Sequence, residues 1–189
     1  KHQSHCICCD HKGSSYNATQ HLIARGHRDI AFITGSLDSP TAIERLSGYK
    51  DALTAANIAV RDELIVKGKW TPRSGSLAIN ALRDNRVSFS AVLASNDDMA
   101  IGAIKALDDA GVAVPHDVSV VGFDDIPTAP FLKPSLSSVK DPVSDMINEV
   151  INRLIAMLDG GYFSKENLFL SELQVRDSIQ NGPYGNQPV

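Results

Sequence analysis

Three polar residues, Asn96, Asp97 and Asp98, interrupt "SAVLASNDDMAIGAIKAL" at the point where an apolar run gives way to a helical repeat. A carboxamide beside two carboxylates offers donors and acceptors for hydroxyl groups, or a cap for the helix that follows. Related groups recur along the chain as Tyr16 in "SSYNA", Thr41 and Arg45 in "TAIER", Trp70 in "GKWT", and Asp124 and Asp125 in "GFDD". Arginine presents a rigid fork of N–H donors, aspartate accepts, and an indole gives a flat apolar face, so the set suits hydroxyl groups and one face of a sugar. Each residue also has a plainer reading. Asn96 can be an N-cap with Asp97 and Asp98 placed against the positive helix end, Arg45 an ion-pair partner of Glu44 or Asp51, and Trp70 part of the core.

Catalytic groups are not assembled in the same way. The sequence has no G-x-S-x-G, no glycine-rich phosphate loop and no H-E-x-x-H. Adjacent side chains such as Asp124 and Asp125 diverge rather than share a proton or a metal, so no enzyme is expected. All three cysteines, Cys6, Cys8 and Cys9, lie in the opening stretch with His5 and His11. Zinc sites usually draw a second ligand pair from further along the chain, and no other cysteine exists to supply it. The expectation is a buried strand "HCICC", with no metal, no cofactor and no disulfide framework.

The elements that must carry these residues follow from periodicity. "SSYNATQHLIARGH", "TAIERLSGYKDALTAAN", "RSGSLAINALRD", the segment through Leu107 and "VSDMINEVINRLIAMLDGG" read as helices; "DIAFITG", "LIVKG", "SAVLASN" and "VSVVGF" read as apolar strands between them. Strands that are apolar on both faces and alternate with helices predict a doubly wound α/β fold around a parallel sheet. The candidate residues leave successive strands at their C-terminal ends, the edge at which open α/β sheets bind ligands. Beyond Phe123, "DDIPTAPFLKPSLSSVKDP" reads as a long proline-rich loop, "NLFLSELQVRDS" as one half-buried strand, and "IQNGPYGNQPV" as a disordered tail.

With 43% hydrophobic residues, a chain of 189 residues can bury a sizeable core. A net charge of −4 gives it no electrostatic reason to grip DNA by itself. No apolar run reaches the ~18 residues that span a bilayer, and the N-terminus lacks the apolar core of a signal peptide, so a cytoplasmic location is expected.

The segments "HLIARGHRDIAFITG", "IERLSGYKDAL", "ASNDDMAIGAIKALDDAGVAVPHDVSVVGFDDI" and "PSLSSVKDPV" resemble the effector-binding core of the LacI/GalR family of bacterial transcriptional repressors, from about Cys8 to Ser178. "CDHK", "DSPT", "IERL", "GKWTP" and "LDGG" are similar to members that govern β-glucoside operons. The resemblance implies a two-lobed, periplasmic-binding-protein-like (type I) core, here one complete lobe plus pieces of the other. Residues 1–10 and 141–167 would be pieces of the N-terminal lobe, 11–140 and 168–178 the C-terminal effector-binding and dimerisation lobe, and 179–189 a tail. It implies a small sugar, such as a β-glucoside, held by Thr41, Arg45, Trp70, Asn96, Asp124 and Asp141, although many relatives carry glutamine where Asp141 stands. It also implies a homodimer through Met99, Ile101, Phe131 and Leu132, and operator binding only through an N-terminal helix-turn-helix that this sequence does not contain. A sugar receptor of an ABC transporter shares the fold, and an enzyme on a similar sheet is a third class.

Overall fold

The computed structural model describes residues 7–160 and 167–185. Five strands lie parallel in one sheet: β2 (Ile30–Thr34), β3 (Ile65–Lys67), β4 (Ala91–Ala94), β5 (Ser119–Phe123) and β6 (Ser137–Lys140). A sixth, β8 (Glu172–Gln174), runs antiparallel to β6, giving the order β3-β2-β4-β5-β6-β8. α1 (His11–Ala24) and α2 (Pro40–Ala55) cover one face, while α3 (Pro72–Asp84) and α4 (Asp97–Asp109) cover the other.

Burial on both faces explains the continuous apolar runs. In β2, Ile30 and Phe32 join Leu22, Tyr49 and Leu53 under α1 and α2, while Ala31 and Ile33 join Ile79, Leu82 and Leu107 under α3 and α4. Alternate side chains of a strand point to opposite faces, so each strand feeds two cores. The helices within a pair approach closely through glycines. A Cβ at Gly102 would stand 1.8 Å from the Pro72 carbonyl oxygen, and one at Gly75 would stand 2.0 Å from that of Met99.

A second, smaller group of elements consists of β1 (Ile7–Cys9), α5 (Val143–Leu158) and β7 (Asn167–Phe169), with β1 and β7 paired in parallel. His5 and Cys6 of the expected strand "HCICC" lie outside the described residues. The chain passes between the two groups at Asp10, at Asp141–Pro142 and at Leu170–Ser171. The last crossing falls beyond Asn167, because Asn167 pairs with Ile7 in the small sheet. α5 keeps an apolar stripe in contact with solvent, at Val143, Ile147, Val150, Ile151, Leu154, Ile155 and Leu158.

Three expectations are corrected. "SSVK" is strand β6 rather than loop, and "NLFLSELQVRDS" divides at Leu170–Ser171 into β7 and β8, which belong to different sheets. Residues 179–185 do not trail away: Ile179 is buried, the Gly182 N–H donates to the Arg25 carbonyl at 2.7 Å, and Arg28 lies over the Tyr184 ring at 5.1 Å. Backbone hydrogen bonds to the turn after α1 fix this polar segment without an apolar pattern. No described helix is long and apolar enough to cross a membrane.

Candidate functional site

The parallel strands bring the loops after Thr34, Lys67, Ala94, Phe123 and Lys140 to one sheet edge. At its centre is Arg45, carried there by α2. It is 3% exposed. Its Nη1 donates to the Ser95 carbonyl at 2.5 Å and faces Asp124 Oδ1 at 3.6 Å, while Nη2 faces Asp141 Oδ2 at 3.9 Å. The guanidinium lies 4.2 Å from the centre of the Phe123 ring. Burial lowers the pKa of Arg45, and Asp124 and Asp141 oppose the shift; the group stays cationic at any ordinary pH. Its Nε–H is buried without a hydrogen-bond partner among the described residues.

Asp124 and Asp125 occupy the exit of β5 with φ values of +99° and +49°, and Trp70 at the exit of β3 has +63°. Left-handed backbone at non-glycine residues costs about 1–3 kcal/mol each and gathers at functional sites. Asp124 is anchored by its N–H to the Val139 carbonyl, which leaves its carboxylate half-exposed beside Arg45. Partial burial raises the pKa of that carboxyl, with Arg45 pulling it back. Asp125 instead pairs with Arg176 at 2.7 Å. The loose Arg45–Asp124 spacing leaves oxygen lone pairs on Asp124 able to accept from hydroxyl groups.

Asp141 joins this edge to a chain crossing. It faces Arg45 on one side and accepts a hydrogen bond from the Ser171 hydroxyl at 2.5 Å on the other. Both carboxylates face an open pocket of about 570 Å³, whose other walls include Lys140, Val143, Asp145, Phe169 and Glu172. The expected residues therefore separate into groups. Arg45, Asp124 and Asp141 form one cluster. Asn96 and Trp70 form another, in which Asn96 caps α4 by accepting from the Met99 N–H at 3.0 Å and donates to the Trp70 carbonyl at 3.2 Å. The cap reading of Asn96 thus describes what the side chain does. The indole of Trp70 lies where a Cβ on Gly35 would stand and packs against the core under α3 and α4. Thr41 is half-buried in the first turn of α2, and the Tyr16 hydroxyl accepts from Gln20 on its own helix.

Asp97 plays a part that sequence reasoning missed. Rather than sitting at the helix dipole in solvent, it is fully buried, accepting from the Ser138 hydroxyl at 2.6 Å and from the Ile126 N–H at 2.9 Å. It ties the loop after β5 to β6 and so holds Asp124 in place. The only sequence signal is that Asp97 follows a strand of small residues and precedes Met99, which is also fully buried. Desolvation raises the Asp97 pKa to about 6. A carboxyl whose folded pKa exceeds its unfolded value lends stability that is complete below about pH 4 and is lost as pH rises through about 6. Asp97→Asn, with its oxygen toward Ile126 and its amide toward Ser138, keeps the first hydrogen bond and reverses the direction of the second. Denaturant titrations are expected to show the variant gaining on wild type by up to about 3 kcal/mol between pH 4 and pH 7; parallel pH profiles would contradict a buried, titrating Asp97.

The residues expected at a dimer surface divide as well. Met99 is fully buried in the core under α3 and α4 and cannot meet a second subunit, because it lies on the inner face of α4. Phe131 is 83% exposed, and Ile101 and Leu132 are half-buried at the core margin. Ile101 also lines an open groove of about 460 Å³ with Ile104, Val112 and Pro134.

Residues 19–179 match the family described as a periplasmic binding protein-like domain. The chain belongs to that family. Among its relatives is the regulator AscG of Escherichia coli strain K12, 58% identical over 95% of this chain and 53% of its own length. Another is the regulator CelR of Thermobifida fusca, 38% identical over 89% of this chain and 50% of its own. This family member therefore spans about half the length of the curated relatives it matches, which are transcriptional regulators rather than enzymes. Among solved structures, that of the Escherichia coli repressor ascG superimposes with a TM-score of 0.90 at 58% identity, covering 95% of this chain and 66% of that one. A CelR–cellobiose complex superimposes with a TM-score of 0.85 at 36% identity, covering 93% of this chain and 54% of that one. The α/β architecture with its mostly parallel sheet is that of LacI-type regulators.

Proposed function

We propose that this chain is the sugar-sensing, effector-binding part of a LacI/GalR-type transcriptional regulator, in which a small sugar such as a β-glucoside shifts operator affinity through the angle between lobes. The observation that carries the reading is the Arg45–Asp124–Asp141 cluster, which places a buried donor fork and two acceptors at the sheet edge and ties them to a chain crossing. A ligand that prefers one angle between the two groups of elements acts through such a crossing. Thr41, Trp70 and Asn96 belong to the same sheet edge but lie outside the described pocket wall, and a ligand would reach Asn96 or Trp70 only by drawing them from the α4 cap and the core. That the relatives are regulators, one of them solved with cellobiose, favours this reading over a transport receptor.

Asp124→Asn keeps the shape of the side chain and removes its charge. Charged acceptors make the stronger class of hydrogen bond, so sugar affinity is expected to fall by about 1.5–3 kcal/mol, or roughly ten- to more than a hundredfold. Calorimetry against a panel of glucosides and galactosides checks this. Unchanged affinity with a lowered melting temperature would make Asp124 a turn residue and remove it from the site.

The partners in this reading are the sugar, a second copy of the chain, and operator DNA reached only through a helix-turn-helix that is not among these residues. We place the dimer surface on the outer face of α4, at Ile101, and on the neighbouring Phe131 and Leu132. Ile101→Glu is expected to halve the mass seen in sedimentation while leaving the far-ultraviolet circular dichroism unchanged. A wild-type chain that sediments as a monomer would contradict the assignment.

A further inference from the structure

The charges around the pocket specify more than a sugar. Among the described residues its walls carry five carboxylates, Asp124, Asp125, Asp141, Asp145 and Glu172, and one cation, Lys140. Two further cations stand behind the walls, and both are committed: Arg176 to Asp125, and Arg45 to Asp124 and Asp141 together. Among the described residues, five carboxylates against three cations give the pocket a formal charge of −2.

The one helix end on the described pocket wall adds to the imbalance. The N-terminus of a helix is the fold's ready-made anion site, since its first N–H groups lack partners and its dipole is positive there. On the pocket wall itself the start of α5 carries Asp145 in its first turn, while α2 and α3 begin at the same edge without an acid there. An incoming phosphate or carboxylate would meet like charge along the pocket wall. What remains on the wall are the acceptors of Asp124 and Asp141, which suit donating hydroxyl groups.

We infer that the effector is an uncharged glycoside, and that the pocket discriminates against sugar phosphates and uronates by charge. The inference rests on the sugar-binding reading above and narrows its ligand class. Discrimination of this kind acts at the bound state and is weakened by salt, because charges at an open rim are screened within about 8–10 Å at ordinary ionic strength.

The test is calorimetry on the chain with cellobiose, methyl β-glucoside and galactose, each beside its 6-phosphate ester, at low and high salt, with inorganic phosphate as a further arm. The neutral member of the best pair is expected to bind at least about thirtyfold more tightly than its ester at low salt, with the ratio shrinking at high salt and inorganic phosphate giving no heat. The double variant Asp145→Lys/Glu172→Lys is expected to narrow that ratio about tenfold or more by admitting the ester. An ester that binds as tightly as its neutral partner, or a ratio indifferent to both salt and the double variant, would overturn the charge selection and leave sugar binding intact. Silence from neutral sugars and esters alike would overturn the sugar reading and this inference with it.

Discussion

Arg45→Met is expected to abolish sugar binding, with affinity falling more than a hundredfold, while the protein stays folded. Methionine follows the path of the arginine stem through the core but leaves the Ser95 carbonyl without its donor. It also leaves Asp124 and Asp141 facing one another without the cation they share. The orphaned carbonyl costs about 1–3 kcal/mol. Two circumstances limit the loss of stability: the desolvated guanidinium disappears with its own penalty, and Asp124 is exposed enough to take up water. For the ligand nothing comparable compensates, since the buried donor fork is gone and the two carboxylates repel. Arg45→Lys keeps the charge without the planar fork and is expected to recover part of the stability but little of the affinity. Thermal unfolding and calorimetry on the same samples decide the matter; a methionine variant that binds sugar normally would show that Arg45 serves the fold alone.

The largest effect on stability is expected from Gly102→Leu. The first atom of any side chain at this position would stand 1.8 Å from the Pro72 carbonyl oxygen, and that atom is backbone at the start of α3. It cannot turn aside as the tip of a flexible side chain could. α3 and α4 must then move apart, which loosens Ile79, Leu82, Met99 and Leu107 together and strains the Ser76 hydroxyl bond to the Gly102 carbonyl. Overpacking of this kind costs about 3 kcal/mol or more, equivalent to a fall of roughly 6–12 °C in melting temperature for a domain of this size. Gly102→Ala is expected to show a smaller fall in the same direction. If neither variant melts below wild type, the close crossing of the two helices is not a feature of the protein in solution.

The architecture was legible because its signal is redundant. Four apolar runs alternating with four amphipathic segments admit few arrangements, and the position of Arg45 and Asp124 at one edge follows from the strand exits, whereas Asp141 was expected only from the family resemblance because the strand it leaves reads as loop. What escaped sequence reasoning lay where local pattern and tertiary role diverge. β6 is the four residues "SSVK", whose serines are buried because Ser138 bonds Asp97 and Ser137 bonds Arg176. No hydrophobicity pattern marks such a strand. The break at Leu170–Ser171 was invisible because alternation continues through it while the chain changes sheets. Met99 was misplaced because an apolar residue in the first turn of a helix reads the same whether it faces a neighbouring subunit or its own core. Asp97 and Asp98 are indistinguishable in the sequence, yet one is buried and the other exposed.

The pairing of β6 with β8 brings Ser138 opposite Gln174, although the intervening chain leaves the large sheet to build α5 and β7. During synthesis the ribosome therefore delivers the whole of α5 before the strand that completes the neighbouring sheet exists. The open edge of β6 therefore stays unpaired until residues 172–174 have been made.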